Sequence, residues 1–329
     1  MTSLVLTLVA RREATSLTPA TIALARDAVS ATGETVTLSA GEAVDIPSPA
    51  TAWDSLPALR AELDTQAVDA ILTPAQNRRK TLLVSDMDST IVANETLDDI
   101  GVHAGLGDKI AAITTRSMNG ELDFAASLRE RVALLQGLPT SLLEKAWRDV
   151  TLNPGAVELV RTMRAHGART ALVSGGFTFF TARVAALCGF DENHANTLLT
   201  DAAGTTLTGQ TGQPILGPDA KLHLLETLAR SQAGLSAAPL PPHRTSPEGT
   251  IGAAAPASKL TGTWAGTLAG TLAIGDGAND LPMLRKAGLG LAFHAKPVVK
   301  RDIMAQINHT SLRTALFAQG YPASAFVSG

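Results

Sequence analysis

A chain of 329 residues, 45% hydrophobic and 17% charged, has enough apolar material for two domains and a well-buried core. Its net charge of −3 leaves no basic footprint for nucleic acid, and its single cysteine, Cys188, excludes an internal disulfide or a cysteine-based zinc site. No apolar run reaches the ~18–20 residues that span a bilayer, so no membrane role is expected.

The opening MTSLVLTLVARRE places its charges after a short apolar run, the reverse of a secretory signal, and a cytoplasmic location is expected. Residues 3–9 alternate as a strand, and 19–29 carry helical periodicity. Residues 34–38 and 43–46 read as short strands, 56–63 as a helix and 68–72 as a last strand. This βαββαβ order predicts a small α+β module, ferredoxin-like or ACT-like, over residues 1–76. It carries no ligand motif, so a regulatory or homodimer-forming role and a plain structural appendage both stay open. The Arg78-Arg79-Lys80 run after it reads as a solvated linker.

Next comes TLLVSDMDSTIVANE, residues 81–95. Its apolar run predicts a buried parallel strand that delivers Asp86 and Asp88 to a sheet edge, where ligands of open α/β sheets bind. Carboxylates so close are costly to ionise together without a cation between them. Alone, the same residues equally describe a strand ending in a polar turn. Residues 95–152 lack strand signals and show helical periods over 97–104, 108–118, 123–135 and 141–147, punctuated by Asn119-Gly120 and Gly137-Leu138-Pro139. A helical insert here would lie over the sheet edge as a lid.

From residue 153 an α/β rhythm resumes: a helix over 156–165, then a strand over 170–173 ending in Ser174-Gly175-Gly176. A helix follows over 179–187, with Cys188 as a buried position. Short strands are expected at 194–199 and 205–207, and a helix over 219–228 with Asp219 as N-cap. Residues 233–270 form a low-complexity insertion, with five prolines between Pro239 and Pro256. A strand over 271–274 then ends in GDGAND, followed by a helix over 281–286, a strand over 290–293 and a helix over 298–305. Successive βα units predict one doubly wound parallel sheet over 77–329.

Three strand ends thus carry unusual chemistry and share one edge. Asp86, Asp88, Asp276 and Asp280, with no His or Cys among them, describe a hard-cation site, most simply Mg²⁺. Ser174 and Gly175 offer a hydroxyl and bare backbone N–H groups to a phosphate, and Lys221 offers a balancing cation. These are the parts of phosphoryl transfer, with Asp86 as nucleophile and Asp88 as general acid/base.

DMDST, SGGF, Lys221 and GDGANDLPM resemble the motifs of the haloacid-dehalogenase superfamily and, in their order and spacing, those of its phosphoserine phosphatase family. The resemblance runs from about Thr81 to Ala318. It implies a Rossmann-like core with a helical cap, and Mg²⁺-dependent hydrolysis of phosphoserine through an aspartyl-phosphate, the last step of serine biosynthesis. Asp86 matches the nucleophile, Asp88 the acid/base and Asp276 a metal ligand, with the Asp88 carbonyl completing the protein ligands. Ser174, Gly175 and Lys221 match the phosphate-binding positions, and Asn279 and Asp280 a supporting pair, Asn279 on the substrate side. In the cap, Glu95 matches the carboxylate for the substrate amine and Arg131 the arginine for its carboxylate, while Met118 and Phe124 match apolar closing positions. Without the family, Glu95 and Arg131 would read as surface charges, as Arg129 still does. Two features depart from the pattern: the 233–270 insertion and the 1–76 module. His294, in FHAKP, invites a catalytic reading, but capping or packing fits it better. A phosphatase or phosphotransferase acting on a related amino-acid phosphoester, phosphothreonine or homoserine phosphate, stays open, and a non-catalytic amino-acid sensor is the rival of another class.

Overall fold

The computed structural model describes residues 3–12, 16–118, 121–232 and 268–328, without the side chain of Met118. The expected Asn119-Gly120 break and nearly all of the 233–270 insertion lie outside the described residues.

The chain opens with β1 (Leu4–Ala10), α1 (Pro19–Ala28), β2 (Val36–Ser39), β3 (Ala43–Ser48), α2 (Ala52–Asp64) and β4 (Val68–Pro74). Helix α1 begins where its sequence directs it. The Thr18 hydroxyl accepts the Thr21 N–H at 3.1 Å, and Pro19 needs no partner for an N–H it lacks. The strands form an antiparallel sheet in the order β2-β3-β1-β4, the ferredoxin-like arrangement expected of βαββαβ. Alternation divides its faces. Leu4, Leu6 and Leu8 of β1 and Val68, Ala70 and Leu72 of β4 pack on Ala25, Leu56, Leu59 and Leu63 of the two helices.

The other face of this sheet is also covered. Val9, Leu38 and Ala43 pack on Phe317, and Ile71 joins the main core of the following domain. Polar ties reinforce the contact. Asp45 accepts Arg78 at 2.6 Å, Glu42 accepts Arg313 at 3.0 Å, and Asp69 accepts the backbone N–H of Thr310 at 3.0 Å. The expectation of a solvated linker at Arg78-Arg79-Lys80 is therefore wrong. Arg78 is in that buried pair, and Arg79 lies over the Tyr321 ring at 4.5 Å. The Lys80 ammonium donates to the carbonyls of Asn77 and Ala269 at 2.8 Å each. A charged run next to a domain boundary met partners remote in sequence.

The second domain follows. Strand β5 (Leu82–Ser85) leads into the cap helices α3 (Thr96–His103), α4 (Gly107–Met118), α5 (Phe124–Ala133) and α6 (Ser141–Asp149). Then come α7 (Ala156–Ala165), β6 (Arg169–Phe177), α8 (Thr178–Cys188), β7 (Glu192–Asn196), a small antiparallel hairpin of β8 (Leu198–Thr200) and β9 (Leu207–Thr211), and α9 (Pro218–Gln232). After the insertion lie β10 (Thr271–Gly275), α10 (Leu281–Lys286), β11 (Leu289–Phe293), α11 (Pro297–Asp302), β12 (Ala305–Ile307) and α12 (Thr314–Phe317). The sheet order is β12-β11-β10-β5-β6-β7, and every pairing is parallel. Leu83 of β5 points to the layer of α7 and α8 (Leu159, Val160, Phe180, Val184), while Leu82 and Val84 point to that of α9 and α10 (Leu225, Leu228, Met283, Leu284). The central strand is thus buried on both faces.

The cap leaves and rejoins this sheet through adjacent strands of chain. Val92 bridges Leu152, and the Asn153 amide donates to the Thr90 carbonyl at 2.8 Å.

Four local expectations change. Strand β6 does not stop at Val173 but runs through the two glycines to Phe177, whose register partner is Asn196; the Asn196 amide also donates to the Gly175 carbonyl at 2.8 Å. The last hairpin strand occupies 207–211, not 205–207. Asp219 lies inside the first turn of α9, which starts at Pro218, so it is not the N-cap. The helix expected over 298–305 ends at Asp302, and at Ala305 the edge strand β12 begins.

Candidate active site

The carboxyl ends of β5, β6 and β10 meet beneath the cap. Asp86, Asp88, Glu95, Phe124, Arg131, Ser174, Gly175, Asp276 and Asn279 line one cavity of about 110 Å³ there. Lys221 lies under its floor, fully buried, with Nζ 2.7 Å from Asp86 Oδ1 and 2.6 Å from Asp280 Oδ1. Burial alone would lower the Lys221 pKa, but Asp280 and Asp86 reverse that and hold it raised, so the ammonium stays charged.

Asp86 follows directly on β5. Its Oδ1 receives both Lys221 and the Met87 N–H, the latter at 2.8 Å; among the described residues no hydrogen bond reaches Oδ2. Burial, then Asp280, pushes this carboxyl well above its ordinary range, against the pull of Lys221. Asp88 is held differently. Its Oδ1 accepts the Thr96 N–H at 2.9 Å and its Oδ2 the Ser174 hydroxyl at 3.2 Å. Burial and the nearby Glu95 raise its pKa to about 6, against hydrogen bonds from Thr96 and Ser174. The Ser174 oxygen in turn accepts the Gly176 N–H at 2.8 Å.

The GDGAND loop folds back on itself. Asp280 Oδ2 accepts the N–H groups of Asp276 and Gly277 at 3.2 and 3.0 Å. A Cβ at position 275 would lie 2.4 Å from Asp280 Cγ, so only glycine admits this turn. Burial, then Asp280, raises the Asp276 pKa to about 7. Asp86, Asp276 and Asp280 bring carboxylate oxygens within 4.8 Å of one another, and all three are buried. This trio can hold a metal ion, and its oxygen-only donors suit a hard cation. Carboxylates (Asp86, Asp88, Glu95, Asp276, Asp280) outnumber cations (Arg131, Lys221, Lys296) around the cavity, an imbalance that a divalent ion would reduce. Asp280 is hydrogen-bonded through both oxygens at 2.6 to 3.2 Å, Asp276 is held more loosely, by Thr90 at 3.3 Å and Lys296 at 3.7 Å, and Asp86 Oδ2 has no hydrogen bond among the described residues.

On the cap side, Phe124 lies against Gly175, where a Cβ would come within 2.8 Å of the ring. Arg131 Nε donates to the Ser127 carbonyl at 3.4 Å, and burial lowers its pKa against the pull of Asp98 and Glu95. Glu95 Oε1 accepts the Ser89 hydroxyl at 2.8 Å. Met118 ends α4, but its side chain lies outside the described residues. Arg129 is exposed. His294 packs against Phe293, its Nε2 2.7 Å from the Thr310 carbonyl, and does not line the cavity. A larger cleft of about 570 Å³ between α6, α8 and β8 holds one carboxylate, Glu144, which Arg183 engages at 2.8 Å. Chemistry, not volume, singles out the smaller cavity.

Residues 83–239 and 257–309 each match a family model described as haloacid dehalogenase-like hydrolase. A phosphoserine phosphatase of Lactococcus lactis is 38% identical over 237 residues, covering 72% of this chain and 94% of that protein. The chain belongs to the haloacid dehalogenase-like hydrolase family. A phosphoserine phosphatase of Archaeoglobus fulgidus is 36% identical over 244 residues, 74% of this chain; the match spans only 61% of that longer relative. Among solved structures, a hydrolase of this family from Salmonella enterica serovar Typhi covers 96% of this chain and 98% of its own, with TM-score 0.76 and 26% identity. A phospho-aspartyl intermediate analogue of phosphoserine phosphatase covers 73% of this chain and 98% of its own, with TM-score 0.58 and 34% identity.

The sequence reading missed four residues of this hydrolase site: Thr90, Thr96, Asn196 and Lys296. Thr90 donates to Asp276 Oδ1 at 3.3 Å and Thr96 holds Asp88 through its backbone, contacts that no side-chain pattern announces. Lys296 lines the cavity from the loop after β11. Its one signal was position, since it follows a parallel strand at the ligand-binding edge.

Proposed function

We propose that this protein hydrolyses O-phospho-L-serine to L-serine and phosphate, with Mg²⁺ as its metal. The observation that carries the reading is the oxygen inventory of Asp86. Asp86 lines the cavity with one oxygen held by Lys221 and a backbone N–H and the other without a hydrogen bond among the described residues. The names of the Lactococcus and Archaeoglobus relatives support the substrate.

Asp86 Oδ2 attacks phosphorus as the bond to the serine oxygen breaks, and Asp88, able to carry a proton near neutrality, delivers it to that oxygen. Asp88 then takes a proton from the water that attacks the aspartyl-phosphate, and phosphate leaves with Asp86 restored. Ser174, the Gly175 backbone and Lys221 receive the phosphoryl oxygens. Asp86, Asp276 and the Asp88 carbonyl would hold the metal, with Asp280 in support; when bound, the metal supplies charge neutralisation at the phosphoryl group. Glu95 meets the substrate ammonium and Arg131 its carboxylate, with Asn279, Phe124 and Met118 closing the pocket. The division into residues 1–76 and 77–329, with a cap over 95–152, belongs to the same reading. The small cavity favours a compact monoester.

The test is phosphate release from O-phospho-L-serine with Mg²⁺, wild type against Asp86→Asn, with EDTA and O-phosphothreonine arms. Release that is lost in Asp86→Asn and in EDTA supports the reading, while equal release from Asp86→Asn overturns it.

A further inference from the structure

Glu95 has a second neighbour besides Ser89. Lys296 Nζ lies 4.0 Å from the same oxygen, Oε1, and 3.7 Å from Asp276 Oδ2. Ser89, which hydrogen-bonds Oε1, and Lys296, which forms a longer ion pair with it, belong to the core, while Glu95 is the N-cap of the first cap helix. Glu95 Oε2 has no hydrogen bond among the described residues, so it is the oxygen that remains for a ligand.

The backbone fixes where Lys296 can reach. Its N–H donates to the Asp276 carbonyl at 3.0 Å, and the following Pro297 holds it extended, at ψ 151°, as the residue before α11. Its side chain lines the cavity, with Nζ between Asp276 and Glu95.

We propose that Lys296, with Ser89, is a positioning residue for substrate recognition: it pins one oxygen of Glu95 to the core so that the other meets the substrate ammonium. This rests on the phosphoserine reading above. Lys296 does not touch the reacting atoms. A lysine that instead served the phosphate would affect every phosphomonoester alike, whereas one that aims Glu95 matters only for substrates bearing an ammonium.

The experiment compares wild type, Lys296→Met, Lys296→Arg and Ser89→Ala at saturating Mg²⁺, on O-phosphoserine and on 3-phosphoglycerate, which has a hydroxyl where phosphoserine has its ammonium. A half-exposed ion pair of this kind gives an expected KM rise of about two- to fivefold on phosphoserine in Lys296→Met. Ser89→Ala should raise KM in the same direction, Lys296→Arg should restore it, kcat should stay nearly constant, and the hydroxyl analogue should show no KM change. An equal rise on both esters, or none on either, overturns the proposal. A readout independent of turnover is amide hydrogen exchange at the start of α3, which should quicken in Lys296→Met and recover in Lys296→Arg. Unchanged exchange there overturns the positioning role even if the enzyme prefers another substrate, while wild-type inactivity on phosphoserine would count against the substrate reading alone.

Discussion

Lys221→Met isolates the electrostatics of the site floor. Methionine nearly matches lysine in volume, so packing changes little, but Asp86 and Asp280 lose the ammonium that touches both at 2.7 and 2.6 Å. Breaking a buried pair by removing one partner costs about 3–5 kcal/mol, a large part of a typical stability of about 5–15 kcal/mol. In EDTA at about pH 7.5, the urea midpoint should fall by about 1–2 M with an unchanged m-value. The pH dependence has a definite sign. The folded Asp86 pKa already lies above 3.8, and losing Lys221 raises it further. A carboxyl with a raised folded pKa contributes stability below its unfolded pKa and loses it as pH rises through the folded one. The deficit of the variant should therefore shrink as the pH is lowered toward about 4. Lys221→Met/Asp280→Asn, which removes one stranded charge, should regain part of the loss. A deficit below about 0.5 kcal/mol at about pH 7.5, or one that grows on acidification, would refute the account.

Mg²⁺ should stabilise the protein by about 2.7 kcal/mol at a hundredfold excess over Kd. The gain should weaken below the raised Asp276 pKa of about 7, where protons compete; a melting point indifferent to Mg²⁺ at about pH 8 would count against the aspartate trio. Removing residues 1–76 should yield aggregating protein, because Ile71 and the partners of Phe317 leave the core exposed; a soluble monomer of normal melting point would contradict this. Cys188 is buried with its pKa pushed up to about 12, chiefly by burial, so native protein should resist a thiol reagent that labels it in urea. Its ordinary value is 9.0, so its contribution to stability should decline between pH 9.0 and about 12.

The site was legible because its chemistry is packed into short strings at strand ends, where chain direction alone decides which edge they share. DMDST and GDGAND needed no partner prediction to be read. What escaped depends on partners remote in sequence. Arg78 looked solvated because Asp45 lies 33 residues away, and Lys80 because Gln319, which accepts its backbone N–H, lies 239 away. Strand β12, three residues long at a sheet edge, has too few positions to show a period, so the sequence pattern does not announce it. Lys296 gave no periodic signal at all; its meaning comes from the carbonyl of Asp276, across the sheet edge.

The covered face of the N-terminal sheet has a consequence in time. Asp69 bonds to Thr310, 241 residues later, and Glu42 to Arg313, 271 residues later. At about 5–20 residues per second of synthesis, the N-terminal strands wait roughly 10–50 s for the segment that covers them. During that interval Val9, Ala43 and Ile71 have no surface to rest on. The N-terminal sheet is thus completed by a late part of the domain that follows it, and the growing chain carries a half-finished sheet until then.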